Sequence, residues 1–128
     1  MNKLTVEGGC HCGAVKYSAN IDQNPEVIIC NCSVCSMVGF HHIIIAEEDF
    51  TLLQGDDALT TYQFGSKTAE HMFCCKCGVK SFYKPRSHPD GWSLNAHCLP
   101  LEKLGTPQYR SFDGQNWEQN IDSLHGDS

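Results

Sequence analysis

Nine cysteines in a chain of 128 residues constrain this protein more than any other feature of its sequence. Their number is odd and most lie two or three positions apart, which disfavours a framework of disulfides. The first residues also lack the apolar run of a secretory signal peptide, so we expect a cytoplasmic protein whose clustered thiols bind metal. The nine are Cys10, Cys12, Cys30, Cys32, Cys35, Cys74, Cys75, Cys77 and Cys98.

The remaining composition predicts one folded domain that spans residues 1–128. Hydrophobic residues make up 41% of the chain and charged residues 19%, which is enough apolar material for a packed core. The formal net charge of −6 disfavours binding to nucleic acids or anionic membranes, and no apolar run is long enough to span a bilayer. We therefore expect neither kind of partner, while the oligomeric state stays open.

Short alternating and β-branched runs between turns predict a mainly β protein built from antiparallel sheets. Leu4–Glu7 alternates before two glycines, and Val27–Ile29 is a β-branched run. One short helix is predicted near the C-terminus, where Trp117, Ile121 and Leu124 form an i, i+4, i+7 stripe.

Four of the cysteines have the spacing of a closed zinc site. Cys10 and Cys12 are two apart, so in extended backbone their side chains share a face. Cys74 and Cys77 form a C-x-x-C pair, and the following Gly78 permits the positive φ of a knuckle turn. Together these segments supply the four thiolates of a structural zinc ion, which would tie distant strands together. The alternative is that they are buried thiols without metal.

Three more cysteines form a C-x-C-x-x-C motif within one short segment. Cys30, Cys32 and Cys35 supply three ligands and leave one tetrahedral position open. A catalytic zinc keeps such a position for water or substrate, and a thiol would suit this soft site. The alternative is that Cys98 closes the site as a second all-cysteine centre, although Cys98 also fits a small buried residue. The sequence thus predicts two Zn²⁺ ions per chain.

These motifs together resemble the glutathione-dependent formaldehyde-activating enzyme family, in its centromere protein V-like branch. The likeness covers nearly the whole chain, from about residue 6 to 117, and the branch is indicated chiefly by residues 81–87 and 97–99. It rests on Gly9-Cys10-His11-Cys12-Gly13-Ala14-Val15, Cys30-Asn31-Cys32-Ser33-Val34-Cys35 and Phe73-Cys74-Cys75-Lys76-Cys77-Gly78.

The resemblance implies the β-tent fold, two zinc ions and a carbon–sulfur lyase. The implied reaction joins glutathione to formaldehyde and gives S-hydroxymethylglutathione, so a small thiol and an aldehyde are the implied partners. The structural zinc would be bound by Cys10, Cys12, Cys74 and Cys77, and the catalytic zinc by Cys30, Cys32 and Cys35.

Cations are expected near a substrate that carries two carboxylates. Lys84, Arg86 and His88 are the candidates for this contact, and solvated loop charges are the alternative. His41 and His42 follow the three-cysteine motif, and at most one should face the metal because successive strand residues point in opposite directions. That histidine would support the metal or transfer a proton.

Two other functions compete with the lyase. One is a non-enzymatic binding module that zinc merely stabilises. The other is the handling of zinc or of oxidants by exposed thiolates. The three-cysteine motif favours the lyase, because it exceeds what a structural zinc site requires.

Overall fold

The computed structural model describes residues 3–31, 33–64, 69–86, 88 and 90–112. Within them the prediction of a mainly β protein is confirmed. The strands are β1 (Lys3–Gly9), β2 (Lys16–Asp22), β3 (Glu26–Cys30), β4 (His41–Ala46), β5 (Phe50–Gln54), β6 (Leu59–Tyr62), β7 (His71–Cys74), β8 (Phe82–Tyr83), β9 (Gly91–Asn95) and β10 (Gln108–Phe112). The helices are α1 (Ser33–Val38) and the single 3-10 turns Glu47–Asp49, Asp56–Ala58, Ala96–Cys98 and Leu101–Lys103.

The strands form three sheets. A three-stranded sheet has the order β1-β2-β5, a five-stranded sheet the order β10-β3-β4-β9-β8, and a two-stranded sheet pairs β6 with β7. All the pairs are antiparallel, as predicted, except that β10 runs parallel to β3.

Asn24 explains the parallel pair. Its side chain accepts a hydrogen bond from the backbone N–H of Thr106 at 2.8 Å, and its own N–H donates to the carbonyl of Leu104 at 2.7 Å. The N–H of Gln108 donates to the carbonyl of Pro25 at 2.9 Å. These bonds hold the start of β10 beside the start of β3, so the two strands run in the same direction.

The hydrophobic core lies between the three-stranded and five-stranded sheets. Tyr17 is fully buried, and its ring packs 5.3 Å from that of Phe50 and 5.5 Å from that of Phe82, measured between centroids. Trp92 stacks on Phe50 at 4.6 Å. This aromatic group joins β2 and β5 to β8 and β9, so it fixes how the two sheets face each other.

The opposite face of the five-stranded sheet carries polar side chains. Phe82 and Trp92 point into the core, and strand alternation therefore turns Tyr83 and Ser93 to the other face. On β4 the core residue Ile43 likewise places His42 on that second face. The sheet thus collects a tyrosine, a serine and a histidine outside the main core.

The short helix α1 is a difference from the sequence prediction. It begins three residues after Cys30 and has six residues, too few to show a helical stripe. It ends at Val38. The next residue, Gly39, has a φ of 65°, and the N–H of Phe40 donates to the carbonyl of Cys35 at 3.1 Å in a Schellman-type cap. The predicted helix at residues 117–124 lies outside the described residues.

None of the helices in the described part of the chain has the length and apolar character that crossing a membrane requires.

Candidate metal centres

The first cluster brings together Cys10, Cys12, Cys74 and Cys77, whose sulfur atoms all lie within 4.8 Å of one another. The Sγ atoms of Cys10 and Cys12 are 3.7 Å apart, and so are those of Cys12 and Cys74. In a tetrahedral zinc site with Zn–S bonds of about 2.3 Å, two sulfurs are about 3.8 Å apart. The spacing of the four thiols therefore fits a zinc ion.

Each half of this cluster lies at the end of a strand, and in each half a backbone N–H donates to the first sulfur. The backbone N–H of Val15 donates to Cys10 Sγ at 3.3 Å, and that of Lys76 donates to Cys74 Sγ at 3.3 Å. Gly78, at a φ of 77°, donates its N–H to the carbonyl of Cys74 at 2.8 Å and closes the second turn. A residue with a Cβ would be strained at that angle, which explains the glycine after the C-x-x-C pair.

Backbone hydrogen bonds favour the thiolate form of two of the four thiols. The N–H of Ala14 also lowers the pKa of Cys12, but burial and hydrogen bonds with the neighbouring thiols outweigh it and raise that pKa to about 11. The N–H of Cys12, assisted by that of Val79, lowers the pKa of Cys77 to about 6. The N–H of Cys77 is the main cause that lowers the pKa of Cys74. A thiol must lose its proton to bind metal, so the turn that holds Cys74 and Cys77 prepares these two thiols for a cation.

The second cluster is formed by Cys30, Cys35 and His42, whose ligand atoms also lie within 4.8 Å of one another. Cys30 ends β3, Cys35 lies in α1 and His42 lies in β4. The Cys35 and His42 side chains are only 3% and 5% exposed. Two of the three cysteines predicted for this centre therefore meet, while Cys32 lies outside the described residues.

His42 is the histidine that faces this cluster, in agreement with the expectation that only one of the two neighbours can do so. Its Nδ1 is 2.9 Å from Ser93 Oγ and 3.3 Å from the hydroxyl of Tyr83, and its ring packs 4.6 Å from that of Phe40. The ring of His41, on the other face, lies 4.4 Å from the ring of His97. Two hydroxyls and an aromatic wall thus orient the imidazole of His42.

A buried lysine lies beside the aromatic rings of this cluster, and no sequence signal predicts it, because lysine is usually exposed. Lys80 is 8% exposed, and its Nζ lies 2.7 Å from Nδ1 of His71. The same Nζ is 4.0 Å from the ring centroid of Tyr83 and 5.0 Å from that of Phe40. His71 stacks on Tyr83 at 4.9 Å. Lys80 therefore places a basic group behind the aromatic wall of the second cluster.

Two of the described cysteines lie outside both groups of converging ligand atoms. Cys75 is exposed, and its N–H donates to the carbonyl of Ala58 at 2.8 Å. Burial raises the pKa of Cys98 to about 11, and the charges of Cys10 and Cys77 act in the same direction. Among the described residues, Cys98 is not one of the ligand atoms that converge at the second cluster, so the alternative in which it closes that site has no support there.

The three candidate substrate contacts are dispersed. Lys84 Nζ lies 4.7 Å from the ring centroid of Trp92, Arg86 is exposed, and His88 is half-buried. His88 lines a cavity of about 330 Å³ between the larger sheets, together with Lys3 and Arg110, and none of the described cysteines lines that cavity. Contact of Lys84, Arg86 and His88 with a substrate stays a prediction.

Comparison with known proteins confirms the family resemblance. The sequence model of the family described as glutathione-dependent formaldehyde-activating enzyme matches residues 5–115. The chain is also similar to a Rhodobacter sphaeroides protein whose crystal structure was solved as a structural genomics target. The two are 31% identical with a TM-score of 0.71, and the match covers 81% of this chain and 99% of the other.

Proposed function

This chain belongs to the glutathione-dependent formaldehyde-activating enzyme family, and from that premise we propose that it is a zinc-dependent carbon–sulfur lyase. Its substrates would be glutathione, or a related small thiol, and formaldehyde or a related aldehyde. The observation that carries the proposal is the second cluster. A structural zinc requires only one closed four-sulfur site, yet Cys30 and Cys35 converge on a second position beside His42.

The two clusters fit zinc by their chemistry. The first offers four sulfurs at tetrahedral spacing, and the second offers sulfur and imidazole nitrogen, both of which are ordinary zinc ligands. We assign a structural ion to Cys10, Cys12, Cys74 and Cys77 and a catalytic ion to Cys30, Cys32 and Cys35. When bound, the catalytic ion lowers the pKa of a substrate thiol, so that thiolate is present near neutral pH.

In the proposed reaction the thiol loses its proton and its sulfur forms a bond to the carbonyl carbon. The carbonyl oxygen gains a proton and becomes the hydroxyl of the product. Phe40 and Tyr83 pack against the ring of His42. Such an aromatic wall would exclude water on that side of the second cluster and strengthen electrostatic interactions there. Lys80 packs its Nζ against the rings of Phe40 and Tyr83 and would add a basic group on that side of the second cluster.

Glutathione also carries two carboxylates that the protein must recognise. We propose Lys84, Arg86 and His88 for this contact, because they are the cations that follow β8, whose Tyr83 reaches the second cluster. The negative net charge supports a small-molecule substrate over a nucleic acid. A protein that processes these metabolites would act in the cytoplasm.

A second candidate function is a binding module that zinc stabilises. The observation in its favour is an exposed apolar pair on α1, Met37 and Val38, with exposures of 87% and 49%. An apolar surface of this kind suits a protein partner. The module needs no reaction at the second cluster, so a measurement of catalysis separates the two functions.

That measurement is the exchange of ¹³C-labelled formaldehyde between its hydrate and S-hydroxymethylglutathione, followed by NMR. The zinc-loaded protein should raise the exchange rate above the spontaneous rate in proportion to protein concentration. Cys30→Ser should return the rate to that of buffer. Cys75→Ser is the matched control, because Cys75 is exposed and lies outside both clusters. An exchange rate equal to that of buffer with the zinc-loaded wild-type protein would favour the binding module.

A further inference from the structure

We infer that His42 is itself a ligand of the second metal, so that this centre is built from sulfur and nitrogen rather than from cysteine alone. The inference rests on the proposed metal at the second cluster but does not depend on the reaction. Its first support is distance. In a tetrahedral zinc site with bond lengths of about 2.0 to 2.3 Å, two ligand atoms are about 3.3 to 3.8 Å apart. The ligand atoms of Cys30, Cys35 and His42 all lie within 4.8 Å of one another, so small rotations of their side chains bring all three within reach of one ion.

The second support is the hydrogen bonding of the imidazole. A histidine that binds metal through one ring nitrogen commonly contacts a hydroxyl, carboxylate or carbonyl through the other. Here the Ser93 hydroxyl at 2.9 Å and the Tyr83 hydroxyl at 3.3 Å both lie at Nδ1. This arrangement assigns Nε2 to the metal. Ser93 has no exposed surface, so its hydroxyl is held in place as a positioning group.

The third support is the strand register. Ile28 on β3 pairs with His42 on β4, and Cys30 follows two residues after Ile28 on the same face of the sheet. Across the next ladder, Ile44 pairs with Ser93, which places Ser93 on the same face as His42. The relation of His42 to Cys30 and Ser93 is therefore set by backbone hydrogen bonds in a sheet, which are rigid, and not by a loop.

A nitrogen ligand changes the charge of this centre and the ligand that a substrate would displace. Together with Cys30, Cys32 and Cys35, His42 would give it four protein ligands, of which one is neutral. One Zn²⁺ ion bound by three thiolates and a neutral imidazole has a net charge of −1, whereas the same ion bound by four thiolates has a net charge of −2. A substrate thiol would then compete with an imidazole and not with water. His42 would thus set how readily the centre accepts a thiol.

Cadmium NMR tests the inference without measuring activity. The full chain, with ¹⁵N-labelled histidine, is loaded with two equivalents of ¹¹³Cd, which replaces zinc and reports its ligands through its chemical shift. We expect one resonance typical of four sulfurs. A second, less deshielded resonance should show scalar coupling to Nε2 of His42. His42→Ala should remove this coupling and move the second resonance only, and the unchanged first resonance would show that the variant is folded.

His41→Ala is the matched control, because His41 is adjacent in sequence but faces the other side of β4. It should leave both resonances unchanged. A second resonance without coupling to His42, or the binding of one cadmium only, would overturn the inference. The formaldehyde exchange rate of the zinc-loaded wild type separates the two proposals. If formaldehyde exchange is catalysed but the cadmium resonance shows no coupling to His42, the lyase proposal survives and the His42 ligand does not. If the coupling is seen without exchange, His42 is a ligand and the lyase proposal fails.

Discussion

The two clusters differ in how far along the chain their ligands come from. In the first, Cys12 and Cys74 are 62 positions apart, and the ion would join the turns that follow β1 and β7. In the second, Cys30, Cys35 and His42 lie within one continuous β3–α1–β4 unit that the five-stranded sheet already holds in place. A metal that joins distant segments contributes to folding, whereas a metal within a preformed unit is available for chemistry.

The largest expected effect is that of Cys74→Ser, which removes a buried ligand of the first cluster. Structural zinc sites contribute about 10–16 kcal/mol of apparent binding free energy, whereas a domain is stable by only about 5–15 kcal/mol. The variant should therefore be unfolded or aggregated at 25 °C. Circular dichroism and soluble yield measure this. Cooperative unfolding with a midpoint close to that of wild type would contradict the structural role.

Cys30→Ser should affect function far more than folding. It removes a ligand from the local unit, so the protein should lose one zinc ion and its catalysis of formaldehyde exchange. Its free energy of unfolding should fall by only about 1–2 kcal/mol, the size of a typical single substitution. Denaturant unfolding and elemental analysis of the same sample give both quantities. A loss of stability equal to that of Cys74→Ser would remove the distinction between the clusters.

The third prediction concerns the pH at which the first cluster releases its zinc. The pKa of Cys77 is lowered to about 6, first by the backbone N–H of Cys12, from an ordinary value of about 8.5. The thiolate of Cys77 is therefore favoured in the folded state. The contribution of this thiolate to folding stability is complete above about pH 8.5 and is lost as the pH falls through about 6.

We expect the first cluster to release zinc and the melting temperature to drop over that lower range. Both are measured from pH 8 to pH 4, with a chromogenic chelator reporting the released zinc. Complete release already at pH 7.5 would contradict the lowered pKa of Cys77.

Ser93→Ala should produce a smaller and confined change. It removes the hydroxyl that contacts His42 Nδ1, and loss of such a supporting group typically costs about 10–100-fold in metal affinity. Competition with a chelator should show weaker zinc binding at the second cluster and unchanged binding at the first. Equal affinities of wild type and variant would show that Ser93 does not position the histidine.

Cys98→Ala is the smallest change and decides how the second centre is closed. Because Cys98 lies outside both groups of converging ligand atoms, the variant should keep two zinc ions and catalyse formaldehyde exchange at the wild-type rate. Loss of the second zinc in this variant would instead identify Cys98 as a ligand.

The sequence predicts the first cluster well because its signal is local. Two thiols at i and i+2, and a C-x-x-C pair before Gly78, each define half of a site within a few residues. The structure then brings the halves together. The mainly β fold class can be predicted from the sequence for the same reason, since strand alternation and turns are also local patterns.

Features that depend on tertiary contacts cannot be predicted from local sequence patterns. His42 reaches Cys30 because Ile28 pairs with His42, and a shift of one residue in that register would present His41 instead. Lys80 is buried against the ring of Phe40, which comes from a distant segment of the chain, and against the nearby ring of Tyr83. The parallel strand β10 depends on hydrogen bonds of Asn24 across about 80 residues. Propensity and spacing do not encode such pairings.

The division of roles between the clusters is tested most directly by counting zinc ions in folded chains. Native mass spectrometry of protein purified without chelator gives this count for wild type and for Cys30→Ser. We expect two zinc ions in wild type and one in the variant, with the same narrow charge-state distribution of a folded chain. A single zinc ion in wild type, or a variant that unfolds when it loses its second zinc, would contradict this account. The account requires one zinc centre that stabilises the fold and a second, separate centre that the fold does not need.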